Sequence, residues 1–84
     1  MTDREIIDKA KEFMKKQVVE ARRARDFEYS WIKTTDDLIR HYQCCKDWIC
    51  STAMFVQTIT KGYGDEICTF ANNCVDEIRD LYAS

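Results

Sequence analysis

With 84 residues the chain has room for one hydrophobic core, since chains divide into several only well above that length. Its 45% hydrophobic and 33% charged residues, with two glycines and no proline, exclude collagenous, low-complexity and disordered chains. A net charge of -2 excludes the strongly basic balance of a nucleic-acid coat, and no apolar run approaches the roughly 18 residues of a membrane span.

The first helix opens at Thr2 or Asp3, either of which can accept a hydrogen bond from the free amides of the first turn. Ile7, Ala10, Met14, Val18, Ala21 and Ala24 recur at spacings of three and four, which keeps one stripe on a core. This pattern predicts a helix over about 3–31. Two threonines and two aspartates, Thr34-Thr35-Asp36-Asp37, then suit the start of a second helix over about 36–61. In it Leu38, Tyr42, Cys45, Ile49, Thr52, Val56 and Ile59 form a heptad seam. His41, Trp48 and Phe55 run beside that seam as a second stripe, which predicts a central helix touching two neighbours. Gly62 or Gly64 ends it, and Asp65 caps a third helix over about 65–82 with Ile67, Ala71, Cys74, Ile78 and Leu81 inward. The class is all-α, a three-helix bundle in one domain over 1–84. Helix one is net positive and helix three net negative, so the two attract across the bundle.

A third helix shorter than the other two leaves one end of the first hairpin uncovered. That end holds Phe27, Tyr29, Trp31, Ile32, Leu38, Ile39 and Tyr42, with Trp48 and Phe55 further along. Contiguous apolar surface rimmed by arginine has the composition of an interface. The expected function is therefore a small non-enzymatic interaction module, a regulator or inhibitor that self-associates and docks on a larger protein. An independent chain of this size without a catalytic motif suits a phage or mobile-element product.

The other candidates for chemistry are weaker. His41, Cys44, Cys45 and Cys74 lack the paired spacing of a zinc site, so no metal or cofactor is expected. A Cys–His nucleophile pair at His41 and Cys44 or Cys45 has no recognisable oxyanion site or orienting group. Lys9, Lys15, Lys16, Arg22, Arg23 and Arg25 form the one basic concentration, an alternative site for nucleic acid or a small anionic ligand. Asp8, Glu12, Glu20 and Asp26 interleave with them, as on a solvated helix surface. Five cysteines, an odd number, and an N-terminus without an apolar signal segment predict a cytoplasmic protein with reduced thiols, most of them buried as small hydrophobes.

Overall fold

The computed structural model describes residues 2–26 and 29–83, the side chains of 82 and 83 apart. Three helices, α1 (Asp3–Arg25), α2 (Thr35–Ile59) and α3 (Gly64–Ala83), each pack against the other two. No strand occurs among the described residues, and the chain is a three-helix bundle. The second helix touches both neighbours, as expected, but so does each of the others, so no helix is central.

Local chemistry sets the helix ends. The Thr2 hydroxyl accepts from the Glu5 N–H at 3.2 Å and caps α1. A capping box opens α2: the Thr34 hydroxyl accepts from the Asp37 N–H, and the Asp37 carboxylate accepts from the Thr34 N–H, both at 3.2 Å. The Lys33 N–H, 3.1 Å from that carboxylate, does most to hold the Asp37 carboxyl below its usual range. At its other end α2 stops at Ile59, two residues short of expectation. Thr60 there turns to extended backbone, and both its N–H and its hydroxyl donate to the Val56 carbonyl. Gly62 takes the left-handed conformation in the loop, at φ +82°. Gly64 and Asp65 lie in the first turn of α3, whose Ile67 N–H is received by the Tyr63 carbonyl, so Asp65 is not the cap. The loop is tied back to the start of α1 by the Lys61 N–H, which donates to Asp3.

The largest departure from expectation is the end of α1. Continued to residue 31, the helix would carry Trp31 and Ile32 past the start of α2 into water. Instead it stops at Arg25, and Tyr29 and Ile32 pack back on the bundle. The Tyr29 hydroxyl donates to Glu20, the Arg23 guanidinium lies over the Tyr29 ring at 5.6 Å, and Ile32 is buried. With α1 at 23 residues and α3 at 20, the uncovered end shrinks to little more than the first turns of α2.

The core is Ile7, Met14, Val18, Tyr42, Ile49, Val56, Ile67 and Ile78, with alanines and Cys45 and Cys74 between them. Its register in α2 differs from a heptad. The buried positions are Tyr42, Cys45, Ile49, Ala53, Val56 and Thr60, while Thr52 is half-buried and Ile59 exposed. Burial recurs at eleven residues in every helix: Ile7 and Val18, Ala10 and Ala21, Tyr42 and Ala53, Cys45 and Val56, Ile67 and Ile78. Eleven residues overshoot three turns by about 20°, whereas seven fall short of two turns by about 20°. The stripe therefore drifts from Thr52 to Ala53 and from Ile59 to Thr60 within two heptads.

Opposite charges do join α1 and α3. The Glu66 carboxylate receives Lys11 at 2.7 Å and Arg4 at 2.9 Å. The Lys11 hydrogen bond is the chief reason its carboxyl sits below the usual value, with Arg4 adding to it.

Candidate functional site

The residues expected to form one aromatic surface are distributed by the fold among three environments. Ile32 and Tyr42 belong to the interior, at 4% and 1% exposure, and cannot face a partner. Leu38 is half-buried against the core, and Ile39 is exposed at the start of α2. Phe27 lies outside the described residues. Tyr29 and Trp31 stack on each other at 6.3 Å and close over His41, with ring centroids at 5.8 and 5.3 Å. Ile32 and Tyr42 are thus taken into the chain's own interior, while Trp31 remains 54% exposed and Ile39 46%.

His41 also brings the expected Cys–His pair together, its Nε2 lying 3.6 Å from the Cys45 Sγ. Proximity does not make a nucleophile here. Cys45 is 3% exposed, and burial, reinforced by Cys44 and Glu20, pushes its thiol up to about 11. A reactive cysteine needs the opposite, a thiolate favoured by nearby positive charge. Burial likewise raises Cys74. Cys44 and Cys50 are exposed and Cys68 is half-buried, so fewer thiols are interior than the sequence suggests. Among the described residues no three His, Cys, Asp or Glu side chains converge to hold a metal ion.

The basic side chains of α1 do not make one patch. At 100° per residue, Lys9, Lys16 and Arg23 form one row and Lys15 and Arg22 another. Asp8, Glu12 and exposed Val19 occupy the strip between the rows. The Lys15 ammonium lies 5.9 Å from the Phe70 ring centroid and Lys11 lies at 5.4 Å, drawing this side toward α3.

Trp48 and Phe55 are placed differently. They project from the outward flank of α2 and are 60% and 64% exposed, with Met54 at 70% and Ile59 at 47%. Phe13 of α1 meets Trp48 edge-on at 6.1 Å and extends the apolar surface across the α1–α2 boundary. From Trp48 to Thr60 the chain carries no ionisable acid or base other than the Cys50 thiol, along about 20 Å of helix. A solvated helix face ordinarily alternates charges. The sequence signal is this charge gap; the heptad reading passes over it because it treats His41, Trp48 and Phe55 as a second stripe packed on a neighbouring helix. Two shallow depressions of about 310 and 260 Å³ flank Trp48 on this face. No protein-family model matches the chain, and no curated protein or solved structure is significantly similar to it.

Proposed function

We propose that this chain is a non-enzymatic interaction module, a small regulator or inhibitor that acts by docking through the outer face of α2. The observation that carries this reading is the uncharged stretch 48–60 with Trp48, Met54, Phe55 and Ile59 all turned to solvent. Leaving large side chains wet forgoes about 25 cal/mol for each Å² that burial would remove from water, and such surface on a folded domain marks a contact site. Its depressions are shallow, one lined by Cys44 and Asp47 beside Trp48 and the other by no charged residue, which suits side chains of a partner. Five free thiols are compatible with a reducing compartment such as the cytoplasm, and no described helix is long and apolar enough to cross a membrane.

The test is photo-crosslinking from a reactive amino acid placed at Ser51, within the face, and at Glu12, on the charged side of α1. Adducts from position 51 with few from position 12 are expected, and they should persist in high salt. Equal labelling from both positions, or none from 51, overturns the reading.

A further inference from the structure

The two depressions on α2 have a common construction. One is lined by Cys44, Asp47, Trp48 and Ser51, the other by Trp48, Ser51, Thr52 and Phe55. Each set has the spacing i, i+3, i+4, i+7, which is the four-residue hole that receives a knob from a facing helix. The holes lie four residues apart. Phe55 and Ile59, exposed on the same helix, are also four residues apart.

We infer that this face is occupied by a second copy of the chain, with the two α2 helices antiparallel and Phe55 and Ile59 of each copy entering the two holes of the other. The inference rests on the docking role proposed for the face and assigns its partner. Antiparallel alignment makes the match automatic. When Phe55 of the second copy sits in the hole at Trp48, Ser51, Thr52 and Phe55, its Ile59 lies four residues onward, at the hole at Cys44, Asp47, Trp48 and Ser51. A two-fold axis near residue 53 makes the exchange reciprocal, as a closed dimer requires. The same register sets the two Phe55 side chains about 5 Å apart along the helices, within the range of aromatic pairing.

Charge supports this register. Asp47 bounds the uncharged face on one side and Lys61 on the other. In the register set by the holes, Lys61, in the loop just past the end of α2, falls at the level of the turn that carries Asp47 on the other copy. Asp47 is exposed and accepts only a local hydrogen bond, from the Gln43 amide at 2.9 Å, among those described. A contact of one helix face lies at the small end of the size range of specific interfaces, where association is weak and reversible.

Sedimentation equilibrium under reducing conditions, from low micromolar to near-millimolar chain, tests the inference. The wild-type chain should pass from monomer to dimer. Phe55→Asp should weaken pairing at least about a hundredfold, with an unchanged helical spectrum because Phe55 packs outside the core. Asp47→Lys and Lys61→Asp should each weaken it about tenfold, since each turns two symmetric attractions into repulsions. The double variant should recover wild-type affinity, which only an antiparallel self-pair explains. A chain that stays monomeric throughout overturns the inference; if Ser51 crosslinks to other proteins nonetheless, the docking reading stands without it. Loss of pairing in Phe55→Asp with no recovery in the double variant also overturns the proposed register. Dimerisation of Phe55→Asp at wild-type affinity removes the face itself from the dimer.

Discussion

The five thiols should divide sharply in reactivity, and Cys45 is where two physical arguments collide. Its sulfur is 3.6 Å from His41 Nε2, a geometry that would activate it if an ion pair formed. Burial acts the other way and pushes the thiol up from 9.0 to about 11. At pH 8 a thiol with the ordinary value is roughly one-tenth ionised, whereas Cys45 would be roughly one-thousandth ionised, a factor of about 100. Limited access at 3% exposure adds to that factor. Timed alkylation with iodoacetamide, read by fragment-ion mass spectrometry to separate Cys44 from Cys45, measures it directly. Cys44 and Cys50 should label in the first phase. Cys45 should lag by at least about a hundredfold and speed up when urea opens the fold. Labelling of Cys45 within about tenfold of Cys44 would refute the argument and make the His41–Cys45 pair a functional thiol. The raised value also sets a direction for stability. The folded state holds the Cys45 proton more tightly than the unfolded chain, so this contribution is complete below pH 9.0 and is lost as pH rises through about 11.

The helix ends and the α1–α3 clamp can be tested with single substitutions. Thr34→Ala removes one side of the capping box and should cost about 1 kcal/mol in urea unfolding, and an unchanged midpoint would show that Asp37 alone holds that end. Glu66→Gln removes the acceptor shared by Lys11 and Arg4. The Glu66 carboxyl lies below its usual 4.5, so its contribution is present above that pH and lost as pH falls through the lowered value. The melting temperature of Glu66→Gln should fall below that of the wild-type chain at pH 7 and the two should converge once pH drops below the lowered value; a gap independent of pH would rule out the ionic origin.

The helices of this bundle were legible because their stripes are long and nearly free of breakers. Every buried residue of α1 and α3 lies at a position the spacing marks. In α2 a heptad and an eleven-residue recurrence agree at Tyr42, Cys45 and Ile49 and separate only later, so the pattern alone placed Thr52 and Ile59 inside. Helix propensity likewise carried α1 through Tyr29 and Trp31, since nothing local there opposes a helix. What stops it is tertiary: the gain from burying Ile32 and seating Tyr29 against Glu20 and Arg23. The candidate face was half legible. The stripe of Trp48 and Phe55 was visible and both are exposed, whereas Ile32 and Tyr42, expected on the same surface, are buried.

The helix α2 is joined to a neighbouring helix at both of its ends. Here α2 is closed at its start by Thr34 and Asp37 and at its finish by Thr60, and the loop beyond is tied to Asp3. Fraying at either end of α2 must break these ties before it reaches Trp48 or Phe55. The face proposed for docking therefore sits on a helix tied at both ends, which holds the spacing of its side chains before any partner arrives. Little ordering is left to do on contact, so a small surface can still discriminate by shape.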